Sequence, residues 1–92
     1  MLVSAELSFY PLQDDFAERV RKVIARLQSF PDIEVLPNRI STQVFGEFDA
    51  VNHAVSCVMK ESFAETGHAV FVIKWLGTDR RPRPDKPEYQ AV

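Results

Sequence analysis

Ser41-Thr42-Gln43-Val44-Phe45-Gly46-Glu47-Phe48-Asp49 reads as the end of a strand, a glycine break, a carboxylate and the start of a helix. Pro37-Asn38, just upstream, is a turn signal. Before it, Ile33-Glu34-Val35-Leu36 is a short strand. A connection this short suits an antiparallel hairpin. Its second strand is predicted from Arg39 to Phe45, with Ile40, Thr42 and Val44 alternating against Arg39, Ser41, Gln43 and Phe45. Downstream, Asp49 is a good helix N-cap. Val51, Ala54, Val55, Val58 and Met59 recur as an apolar stripe, with Phe63 one turn further. Gly67 fits the left-handed position that closes such a helix. Residues 68–76 are the strongest strand in the chain by β-propensity. That strand is apolar on both sides, so both of its faces are expected to be covered.

The N-terminal third has the same grammar. Val3, Ala5, Leu7 and Phe9 alternate with Ser4, Glu6, Ser8 and Tyr10, which predicts a strand with one apolar and one mixed polar face. Pro11 ends it. Asp14 and Asp15 supply an N-cap and favourable charge at the positive end of a helix dipole. Phe16, Val20, Val23, Ile24 and Leu27 then follow at helical spacing to about Gln28, and Pro31 marks the end.

The resulting order, β-α-β-β-α-β, is the ferredoxin-like arrangement. The expected fold is α+β: a four-stranded antiparallel sheet in spatial order 4-1-3-2, with both helices on one face. One domain is expected over residues 1–77. Residues 78–92, rich in proline and arginine and without apolar period, are expected to form a tail or an extended arm, with Arg80-Arg81-Arg83 solvated or, second, an anion-binding or subunit-swapping arm.

Bulk properties exclude several classes. The chain has 92 residues, which is one domain with a small core. Its formal net charge of −2 argues against a nucleic-acid or anionic-membrane binder. The single cysteine, Cys57, permits no internal disulfide, and a cytoplasmic location is expected. No run approaches a membrane span. His53 and His68 have no metal-ligand spacing with Cys57 or with each other, so no metal is expected. No Ser-His-Asp set and no phosphate-cradling glycine loop is present, so an enzyme is not expected.

The predicted topology sets Glu6, Ser8 and Tyr10 beside Ser41, Gln43 and Phe45 on the sheet face that the helices leave open. Hydroxyls, an amide, an acid and aromatic rings together suit a small heterocycle. The same residues also fit plainer roles. Ser41-Thr42-Gln43 is ordinary for a half-exposed strand, Glu47 for a helix-start acid, Tyr10 for an interface aromatic, and Glu6 for an ion pair with Lys74.

Ser8-Phe9-Tyr10-Pro11-Leu12 and Ser41-Thr42-Gln43-Val44-Phe45-Gly46-Glu47 resemble the YkoF-like thiamine/hydroxymethylpyrimidine-binding family, over about residues 2–76. The resemblance implies a homo-oligomer, a dimer or tetramer, that stacks sheet faces. It implies binding of thiamine or its hydroxymethylpyrimidine moiety without chemistry and without a further cofactor. It carries ligand-binding roles onto Ser8, Tyr10, Ser41, Thr42, Gln43 and Glu47. Two alternatives stand beside it. One is a ferredoxin-like dimeric enzyme acting on a small aromatic substrate, with His68 as its titratable group. The other is a pure oligomerisation or regulatory module.

Overall fold

The computed structural model describes residues 1–85; residues 86–92 of the expected tail lie outside it. The elements are β1 (Leu2–Tyr10), α1 (Phe16–Gln28), β2 (Ile33–Pro37), β3 (Thr42–Glu47), α2 (Phe48–Thr66) and β4 (Val70–Leu76). They form one sheet in the order β2-β3-β1-β4, antiparallel at every pairing, which is the expected ferredoxin-like topology. β1 lies between β3 and β4 and is hydrogen-bonded along both edges.

Period-two alternation divides β1 cleanly. Val3, Ala5 and Leu7 are buried against the helices, together with Val44 of β3. Val23 and Leu27 of α1 and Val51, Ala54, Val55 and Val58 of α2 complete this core. Leu27 is fully enclosed. Across the outer surface, ion pairs tie the helices together: Arg26 to Glu61 at 2.9 Å, and Lys22 and Arg19 to Glu65 at 2.9 and 3.1 Å. The hydrogen bonds from Arg26 and Lys22 hold the Glu61 and Glu65 carboxyls below their ordinary range.

Several boundaries differ from the sequence reading. β3 begins at Thr42, not at Arg39. The Asn38 side-chain oxygen accepts the backbone N–H groups of Ile40 and Ser41 at 2.9 and 2.8 Å, closing a turn that the strand cannot enter. Ile40, expected to alternate with Thr42 and Val44, therefore stands 89% exposed at the hairpin tip. Gly46 does not break the strand. It pairs with Val3 on one side and Ile33 on the other. A Cβ there would meet the Asp32 carbonyl at 3.2 Å and methyls of Ile33 and Val51 at 3.4 Å. Glycine at this position thus permits close approach of helix to sheet. α2 follows β3 without a loop, so its N-cap is Glu47, and Asp49 falls in the first turn. Asp15 is the N-cap of α1 but makes no capping bond; its carboxylate takes Arg19 at 2.9 Å instead. Gly67 closes α2 as expected, at φ 76° with its N–H on the Phe63 carbonyl. β4 starts two residues later than predicted, and it is an edge strand whose outward Val70, Val72 and Leu76 remain partly exposed.

Gly46→Val is expected to lower stability by about 1–3 kcal/mol in urea denaturation, because the added methyls have a backbone carbonyl in their way. Gly77→Ala, whose Cβ meets nothing within 4 Å, should stay within about 0.5 kcal/mol of the parent.

Candidate binding groove on the open sheet face

On the face away from the helices, the register aligns side chains in rows. Glu6 stands opposite Gln43 of β3 and Lys74 of β4. Its carboxylate accepts a hydrogen bond from the Ser41 hydroxyl at 3.0 Å and lies 3.7 Å from the Lys74 ammonium. The next row is Phe45–Ser4–Leu76.

That second row is roofed. After β4 the chain turns back and crosses the sheet as a strap. The Ser4 hydroxyl donates to the Thr78 carbonyl at 2.8 Å and accepts the Arg80 backbone N–H at 2.7 Å. Arg81 reaches Glu34 of β2 at 3.0 Å, with its guanidinium 5.9 Å from the Phe45 ring centre. This distance is within cation–π range. The strap thus spans from the β4 edge over β1 and β3 to β2, and Phe45 is only 2% exposed. Residues 78–81 of the same chain thus cover Phe45. The Arg81 backbone N–H, with its guanidinium beside it, holds the Asp79 carboxyl below the ordinary carboxylate range. A lowered folded-state value contributes stability above the ordinary value and loses it as pH falls through the folded one. Acid therefore weakens the Asp79–Arg81 contact within the strap.

Between the strap and the β2–β3 hairpin lies an open groove of about 800 Å³. Glu6 and Gln43 form its floor, and Leu36 to Asn38 one wall. Arg80, Pro82 and Arg83 form the other wall, and Lys74 also lines it. Two other cavities lie on the helix side. One of about 350 Å³ sits between α1 and α2 under the ion pairs of Arg26 and Lys22, with Phe9, Val23 and Val58 in its lining. One of about 400 Å³ lies beneath α1 and has Tyr10, Ser41 and Thr42 in its lining. Neither contains the Glu6 carboxylate.

The residues singled out from sequence separate into groups. Ser41 and Gln43 meet Glu6. Ser8 shares their face, opposite Val72. Thr42 does not: it pairs with Leu7, is 7% exposed, and points to the helix side, as strand alternation requires. Glu47 stands opposite Leu2, and Tyr10 lies eight positions further along β1, roughly 26 Å away. The two cannot serve one small ligand. Glu47 instead accepts the Met1 amine at 2.8 Å. Lys74 was anticipated as a partner of Glu6, and Arg80 and Arg83 as part of a solvated tail or, second, an anion-binding arm; the structure sets all three along the groove. Glu6 was the available signal: a carboxylate at the middle of a central strand, flanked at two-residue spacing by serines. His68 is exposed and lines none of the three cavities. His53 and Cys57 lie one helical turn apart, with Nε2 and Sγ 3.7 Å from each other, a contact the spacing had not suggested. Among the described residues no third metal-ligating side chain joins them.

No family model and no curated protein sequence matches the chain. Solved structures do resemble it. A protein of Streptococcus pneumoniae matches with a TM-score of 0.77 at 21% identity, over 86% of this chain and 89% of its own. A "putative thiamine biosynthesis/salvage protein" from Thermotoga maritima matches at 0.72 and 17%, over 82% of each chain. A "domain of unknown function DUF77" from Bacillus cereus matches at 0.72 and 18%, over 86% of this chain and 78% of its own. At these identities the likeness establishes the fold, and among proteins of that fold is one whose name concerns thiamine.

Ser4→Ala removes both hydrogen bonds between Ser4 and the strap. The expected loss is about 1 kcal/mol, with trypsin cleavage after Arg80 several-fold faster by mass spectrometry. An unchanged cleavage rate would show that the clasp does not hold the strap. In an NMR pH titration, the Phe45 ring resonances should move as the Asp79 carboxyl is protonated below its ordinary value of about 3.8.

Proposed function

We propose that the chain is a non-catalytic binding protein for an aminopyrimidine, thiamine or its hydroxymethylpyrimidine moiety, held in the groove on the open sheet face. The observation that carries this reading is the Glu6 carboxylate, aimed by Ser41 and Lys74 and set beside Gln43. A 4-aminopyrimidine presents an exocyclic amine donor next to a ring-nitrogen acceptor. A carboxylate accepts from the amine, and the Gln43 amide is suited to donate to the ring nitrogen. The hydrophobic stem of Leu36 and the ring of Pro37 offer apolar surface to the ring faces. The thiamine-related name of one structural neighbour supports the same ligand class.

No step of bond making is needed for this role, and none of the groove residues forms a nucleophile–base pair. The rival enzyme reading relied on His68, which does not line the groove. Beyond the strap, Tyr10, Val70 and Val72 form an exposed apolar strip on the same face. That strip supports assembly of subunits through their sheets, as a dimer or tetramer. No described helix is long and apolar enough to cross a membrane; a cytoplasmic location is part of the proposal.

Isothermal titration with thiamine and with hydroxymethylpyrimidine tests the reading. Saturable binding is expected, weakened about tenfold or more in Glu6→Gln, the usual cost of losing a hydrogen bond to a charged group. Glu47→Gln, far along the strand, should bind like the parent. Absence of heat with either compound on folded protein would sink the proposal, and equal affinity of Glu6→Gln would move the site elsewhere.

A further inference from the structure

The cavity of about 350 Å³ between α1 and α2 shares no lining residue with the groove and lies on the other side of the sheet. Phe9, Val23, Ala25 and Val58 give it an apolar lining. Val23 and Val58 belong to the core, and Phe9 is held by stacking on Phe71 with ring centres 4.6 Å apart. The charges that line it are all paired. Arg26 meets Glu61 at 2.9 Å, Lys22 meets Glu65 at 2.9 Å, and Arg19 meets Asp15 and Glu65 at 2.9 and 3.1 Å. Glu18 also lies near Arg19, and Cys57 near Arg26. No lining charge of either sign is therefore left over for a charged ligand. Ion pairs in contact with water are weak, so these can part and re-form over an entering molecule.

Three hydroxyls also line the cavity, and two are already engaged. Thr66 donates to the Ser62 carbonyl at 3.1 Å, the bond to the preceding turn that a serine or threonine within a helix can make. Ser29 donates to the Arg26 carbonyl and accepts from the Arg26 guanidinium. Ser62 differs. It is only 8% exposed, yet its hydroxyl has no hydrogen-bond partner among the described residues. No sealed side-chain oxygen among those residues lacks a partner, so this one opens on the space it lines. A hydroxyl taken from water without a partner is costly, and a ligand that bonds it recovers the cost. We infer that the cavity is a second binding site, for a small, uncharged, mostly apolar molecule with one hydrogen-bonding group, such as a phenol. The apolar body lies against Phe9, Val23 and Val58, and the polar group meets Ser62. The volume is at the low end of the roughly 300–1,000 Å³ usual for small-molecule sites, which keeps the occupant small. This site does not depend on what the groove beside Glu6 binds.

The test is an NMR titration of the full chain with phenol, toluene, benzoate and benzylamine, one ring carrying a hydroxyl, a methyl, an anion or a cation. Phenol should give saturable shifts at the Val23 and Val58 methyls. It should bind about tenfold or more tightly than benzoate or benzylamine, whose charges would be taken from water without a free partner. Ser62→Ala should weaken phenol about fivefold, the usual cost of one hydrogen bond, and leave toluene unchanged. Ala25→Phe, at an exposed helix position, should fill the space and abolish the binding of both, with an unchanged circular dichroism spectrum showing that it is folded. Absence of saturable shifts with phenol and toluene overturns the inference. Benzoate or benzylamine binding as tightly as phenol overturns the selection against charge. An equal effect of Ser62→Ala on phenol and toluene overturns the role of the hydroxyl, and undiminished binding to Ala25→Phe overturns the assignment to this cavity.

Discussion

β1 is hydrogen-bonded on both of its edges, so it can neither slip nor rotate without breaking two ladders at once. A shift of one residue would carry Val3, Ala5 and Leu7 into the groove and Ser4 and Glu6 into the core. The cost of burying an unpartnered carboxylate forbids it. This one constraint sets the rest. It decides which side the helices cover and which residues of β3 and β4 stand opposite Glu6. It also decides that Ser4 faces outward, where the chain can return to it.

The open face is consequently divided into unlike halves. Near Ser4 it is roofed by the chain's own strap, and Phe45 is buried without any second subunit. Near Tyr10 it is bare. Polar and charged groups concentrate at the border between the two, around Glu6. A protein that stacked its sheets over the whole face would have no use for such a roof. The strap confines any sheet-to-sheet contact to the Tyr10, Val70 and Val72 half and leaves the border accessible.

The order of elements and the division of β1 and β3 into faces were legible because alternation over several residues reports burial directly. Thr42 illustrates the same rule from the other side: grouped with Ser41 and Gln43 by proximity in sequence, it is separated from them by parity. Gly46 was harder. A glycine that ends a strand and a glycine that lets a helix approach a strand look alike, and only the Asp32 carbonyl and Val51 methyl nearby distinguish them. The strap left no trace of the usual kind. It is held by a hydroxyl, backbone groups and a guanidinium over a ring, not by an apolar stripe, so residues 78–83 read as solvent-exposed.

The Ser4 clasp joins residues 74 and 76 positions apart in the chain. The β1–β4 ladder, which sets Ser4 opposite Leu76, already closes a loop of nearly that length, so the clasp adds little further closure entropy. During synthesis the sheet and helices precede the strap, so one wall of the groove is among the last described parts to emerge. A nascent chain can therefore own a complete core while the groove still lacks one wall. Closure of the strap and completion of the groove thus meet at one serine.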